Sequence, residues 1–120
     1  MTYEETQELL VDMIDDLPQE IFEGLNGGVS LHHDTKYGKN GLLTLGTYHF
    51  EPYGLGRYIS IFYGSLMASF SHLAPDQYAE KVKEVLHHEL THHLEHLAGD
   101  KSLEIEDAKN VSKMLRRLNK

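Results

Sequence analysis

The chain of 120 residues has no cysteine, which excludes disulfides and thiolate zinc sites. Any metal it holds must be bound by His, Asp, Glu and water. It has no apolar run approaching the roughly 18 residues that a membrane span needs. It is also short of positive charge, with 11 Lys and Arg against 19 Asp and Glu and a net charge of −8 with histidines neutral. That balance disfavours a phosphate-backbone surface and attraction to anionic lipid, so neither nucleic acid nor membrane is an expected partner. The opening MTYEETQELLVDMIDDL is acidic and amphipathic, unlike the basic-then-apolar pattern of a signal peptide. The expected location is the cytoplasm. The one basic stretch, residues 109–120 with Lys113, Arg116, Arg117 and Lys120, reads as a solvated helical face that complements the helix dipole.

Composition is otherwise ordinary for a globular protein, 40% hydrophobic and 25% charged. The length suits a single domain over residues 1–120 with one modest core. Leu9, Leu10, Met13, Ile14 and Leu17 recur at helical spacing, and Thr2 with Glu5 forms a capping-box pattern. Pro18 breaks that helix and opens a second short one to about Gly24. Strands are expected over 29–33, 42–48 and 57–63, with the turn Lys39-Asn40-Gly41 before the second and a glycine-rich loop at 49–56. Residues 64–72 read as a short helix or a loop. A long helix runs from Pro75 to about Ala98 and stops at Gly99, with the stripe Tyr78, Val82, Val85, Leu86, Leu90, Leu94 and Leu97. A last helix covers about 105–118. The expected fold class is α+β: an N-terminal helical element, a small sheet of about three strands, then two helices.

What the chain has in excess is histidine, and five of the nine fall within HHELTHHLEH at 87–96. Two metal-site spellings overlap there. His88-Glu89-Leu90-Thr91-His92 is HExxH, and His92-His93-Leu94-Glu95-His96 is HxxEH. Positions four apart on a helix lie nearly above one another, about 6 Å along the axis, so His88 and His92 can reach one ion. Glu89 is rotated about 100° from His88, poorly aimed as a ligand but placed to take a proton from water. This arrangement suits a zinc hydrolase with Glu89 as general base. The bland alternative is a solvated His and Glu face. The outer histidines, His88 and His96, are about 12 Å apart on a straight helix, so one ion cannot take all three. The upstream motif is preferred because the helix ends soon after it, which lets the chain return with a third ligand. Asp100, Glu104, Glu106 and Asp107 are the candidates. His93 is expected to be structural and His87 to lie on the surface. Tyr58, Phe62 and Tyr63 are expected to pack the sheet, Tyr63 with the alternative of lining the cleft.

TYEETQELLVDMIDDLPQEI, RYISIFYGSL and VLHHELTHHLEHLAGDKSLEIED together resemble the small single-domain bacterial zincin-like metallopeptidases. The likeness runs over most of the chain, and its most specific part is the HExxHH core. It implies a zincin-like fold, Zn²⁺ as cofactor and a peptide or protein as substrate. Members commonly read HExxHxxGxxD, the final Asp being the third ligand. Here the connection is longer, and matching IED at 105–107 to the acidic pair implies Asp107 as that ligand. The edge strand of such enzymes pairs with extended peptide, a role the resemblance implies for 57–63. The alternative function is a non-catalytic zinc-binding protein of this fold, acting structurally or through a partner.

Overall fold

The computed structural model describes residues 1–99 and 105–118, with 105–108, 110 and 111 described by their backbone alone. Helix α1 (Tyr3–Asp16) starts where the sequence pattern places it. The Thr2 hydroxyl accepts from the Glu5 amide at 3.1 Å, and the Glu5 carboxylate accepts from the Thr2 amide at 2.9 Å. Hydrogen bonding to its carboxyl from the Thr2 backbone amide, and next from the Thr2 side chain, holds Glu5 below its usual range. The helix stops because Pro18 forces Leu17 out of helical dihedrals, to φ −86° and ψ 151°. The segment after Pro18 is a single 3-10 turn, Gln19–Phe22, rather than a further α-helix. It drives Ile21 into the core.

A three-stranded mixed sheet follows, in the order β1 (Gly28–His32), β5 (Gly56–Phe62), β4 (Gly46–Glu51). β1 lies parallel to β5 and β4 antiparallel to it. A two-stranded ribbon, β2 (Lys36–Tyr37) with β3 (Leu43–Thr44), is formed around the expected turn at 39–41. The expected strand at 42–48 is divided. Its first part pairs with β2 and the part after Leu45 pairs with β5, so the chain changes partner at that residue. The loop expected at 49–56 is shorter, because His49, Phe50 and Glu51 continue β4. The hairpin closes through the Gly54 amide on the Glu51 carbonyl at 3.1 Å.

Strand β5 runs directly into α2 (Tyr63–Phe70), then come α3 (Pro75–Ala98) and α4 (Ile105–Leu118). The buried Ser65 of α2 anchors the ribbon, accepting from the Lys36 amide at 2.9 Å and donating to its carbonyl. Gly64 is required by the same approach, since a Cβ there would meet the Asp34 carbonyl oxygen at 2.7 Å.

Side chains alternate across the sheet, so Val29 and Leu31, Ile59 and Ile61, and Gly46 and Tyr48 share one face. Helix α3 covers that face with the expected stripe: Tyr78, Val82, Val85, Leu86, Leu90 and Leu94 are buried. The buried Thr6 and Tyr78 hydroxyls, 2.8 Å apart, tie α1 to α3, and Met114 and Leu118 seat α4. Among the described residues no helix is long and apolar enough to cross a membrane. Leu90 lies at the centre of this core with no exposed surface. Leu90→Ala should lower unfolding free energy by about 2–5 kcal/mol, read from urea denaturation.

Candidate metal centre

The middle of α3 sorts its histidines by helical rotation. His88 and His92 are exposed, whereas Glu89 and His93, one position on from each, are buried at 5% and 0% exposure. The ring nitrogens Nε2 of His88 and His92 stand 3.0 Å apart, with the rings edge to face. Two imidazoles on one tetrahedral ion at about 2.0–2.1 Å would place their nitrogens about 3.3 Å apart, so the pair needs little movement to share a metal. His92 Nδ1 lies 3.7 Å from a Glu95 carboxylate oxygen, an exposed pair too long to be a hydrogen bond.

Glu89 turns towards the edge of the sheet. Burial raises its pKa, and the nearby His88 and His92 oppose that rise. It lines a groove of about 450 Å³ between α3 and the β3–β4 segment, together with Leu43, Thr44, Leu45, Gly46, Glu84, Val85 and His88. A second groove of about 460 Å³ lies towards α4, bounded by Glu80, Lys83, Glu84, His87, His88, Thr91 and Leu118. The two share Glu84 and His88, so His88 stands on the ridge between them.

Three contacts fix β4 along α3. At Gly46 a Cβ would meet Val85 Cγ1 at 3.0 Å and Glu89 Cγ at 3.2 Å, so the missing side chain is what lets the strand lie over the carboxylate. Two residues on, the Tyr48 hydroxyl donates to His93 Nδ1 at 2.9 Å, and His93 Nε2–H donates to the Glu23 carbonyl at 2.8 Å. Two further on, the Phe50 ring meets His96 with centroids 4.8 Å apart. A strand step of two residues is about 6.6 Å, close to one helical turn, so 46, 48 and 50 meet 89, 93 and 96 in order.

His96 is engaged elsewhere than with His92. Its Nδ1 accepts from Arg57 Nε at 3.1 Å, and Arg57 also covers the Phe50 ring at 4.6 Å. In the neutral ring the other nitrogen then carries the proton and has no lone pair for a metal. The histidines brought together are thus those of HExxH. Among the described residues no group of three His, Asp or Glu could hold an ion. Asp100 and Glu104 lie outside the described residues, as do the side chains of Glu106 and Asp107.

Three sequence expectations are corrected here. The 57–63 segment is not an edge, because β5 pairs with β1 on one side and β4 on the other. Among the described residues the unpaired sheet edge nearest Glu89 belongs to β4. Tyr63, expected to pack the sheet with lining the cleft as the alternative, begins α2 instead, and its hydroxyl donates to the Met1 carbonyl at 2.6 Å. His87 is half-buried rather than on the surface, its pKa lowered by burial and next by Lys83. Sequence reasoning missed Gly46, Tyr48 and Arg57. The alternation of 46, 48 and 50 was a usable signal, but nothing in it named α3 as the partner.

His93 makes its two bonds as a neutral ring, and burial lowers its pKa below 6.5, helped by Arg57 and His96 against the Glu23 carbonyl. The unfolded chain binds that proton more readily, so the stability present above about pH 6.5 is lost as pH falls towards the lower folded value. Melting temperatures of metal-free protein should fall across this window, and His93→Gln should shallow the slope. Gly46→Val should destabilise by about 1–3 kcal/mol through overpacking against Val85 and Glu89, read from the same melts.

No family model matches the chain, and no curated protein matches it either.

Proposed function

We propose that this protein is a zinc-dependent metallopeptidase of zincin-like fold, acting on peptide or protein substrates in the cytoplasm. The observation that carries the reading is the meeting of two exposed imidazole nitrogens beside a buried carboxylate, at a groove open along a strand edge. The donor set fits zinc: two neutral imidazoles at HExxH spacing, with Asp107 of α4 as the third ligand that the family resemblance implies. When bound, zinc lowers the pKa of a water molecule and polarises a carbonyl.

The remaining work falls to this chain's own residues. Glu89 takes the proton that the attacking water loses and returns it to the departing amine nitrogen. Its burial keeps the carboxylate out of bulk water at the wall of the groove, beside the imidazole pair. The missing side chain of Gly46 lets the Glu89 stem lie close against β4. The free edge of β4 offers backbone donors and acceptors to an extended chain lying in the groove.

A second reading rests on the seating of α4 against α3 by Met114 and Leu118. An ion held by both helices would then stabilise their packing without catalysis. Glu89→Gln separates the two. The peptidase should retain its zinc and lose about 10²-fold or more of its turnover. Turnover that survives the change assigns the chemistry elsewhere. Zinc content after purification should collapse in His88→Ala and persist in His96→Ala, and the reverse result would move the site to the downstream motif.

A further inference from the structure

We propose that Glu84 is a specificity-determining residue, selecting peptides with Lys or Arg about two residues from the scissile bond. The inference rests on the peptidase reading above and adds the class of substrate.

Glu84 precedes His88 by one helical turn, about 6 Å along the axis. β4 runs alongside α3, its residues 46, 48 and 50 meeting 89, 93 and 96. A chain paired with the edge of β4 therefore runs along the same axis, at about 3.3 Å per residue, and comes level with Glu84 where it continues past Gly46 alongside Leu43, Thr44 and Leu45. The distance from His88 to Glu84 is then about two residues of extended substrate. Among the described residues Glu84 is the one acidic side chain that borders both grooves, so a chain crossing the ridge at His88 passes it in either direction.

The groove that Glu84 shares with Glu89 is apolar for part of its length, with Leu43, Leu45 and Val85 on its lining. An apolar surface ending in a carboxylate fits a long aliphatic stem with a cationic tip, the shape shared by Lys and Arg. A short acidic side chain would meet the same carboxylate with like charge, and a purely apolar one would leave it unpaired. The present partner of Glu84 is Lys81 at 3.5 Å, with side chains 65% and 43% exposed. Such a pair is worth little in water, so a substrate cation can replace Lys81 without a large penalty. Lys83 shares only the groove towards α4 with Glu84 and is absent from the lining of the groove at Glu89. The net charge of −8 adds attraction for cationic chains at longer range.

Binding tests this without depending on turnover. Short alanine-based peptides carrying a single Lys, Arg, norleucine or Glu at successive positions would be titrated into zinc-loaded Glu89→Gln protein by fluorescence anisotropy. Lys and Arg peptides should bind about two- to fivefold more tightly than the norleucine and Glu peptides, at one position only. Adding Glu84→Gln should erase the difference, and Glu84→Lys should reverse it in favour of Glu. Equal binding across the set, a preference that survives Glu84→Gln, or no binding by any peptide overturns the assignment. Zinc retention in His88→Ala, read on the same preparations, would instead overturn the reading of the metal centre.

Discussion

One imidazole in the interior joins three parts of the chain that are far apart in sequence. His93 receives the Tyr48 hydroxyl from β4 and gives its own N–H to the Glu23 carbonyl beside the 3-10 turn. With no exposed surface, it has no water to replace either bond. Each group left unpaired would cost about 1–3 kcal/mol, so the strand, the turn and the helix are held in one relative placement. That placement puts Gly46 over Glu89, and the position of Gly46 decides how closely strand and carboxylate approach. The site geometry is thus inherited from a residue that is no part of the proposed chemistry.

The same ten-residue stretch serves two opposed physical demands. On the proposed reading the imidazole pair has to be within reach of an ion, whereas the carboxylate beside it is walled off from water. Helical rotation of about 100° per residue satisfies both with neighbouring positions. His88 and His92 face water while Glu89 and His93 face the sheet. His96, a turn beyond His92, is drawn to Arg57 and Phe50 instead. A cluster that looks redundant in sequence is divided in space among a polar ridge, a buried wall and a cation-bearing corner.

Much of this was legible in the sequence because it is local. The bounds of α3 from Pro75 to Gly99, its apolar stripe and the Thr2 capping box follow from spacing and terminal residues alone. So does the meeting of His88 and His92, which needs only helical geometry. Pairing between strands was not legible. β5 has the strongest strand composition, and that same apolar character places it at the centre rather than at the edge. The division at Leu45 depends on two partners competing for one segment, which no local pattern records. Arg57 was equally hidden, because its bond to His96 spans 39 positions.

The parallel pairing of β1 with β5 has a consequence for the order of assembly. Its partners, such as Val29 with Ile59, are brought together only by closing a long stretch of chain that includes β2, β3 and β4. Loop closure of that kind is slow compared with the formation of a helix. The two histidines belong to one helix and meet as soon as it winds. The surroundings of Glu89 exist only once the sheet has docked. Early in folding the two imidazoles therefore meet before the carboxylate is buried, and on the proposed reading a place for the ion precedes the setting of the base.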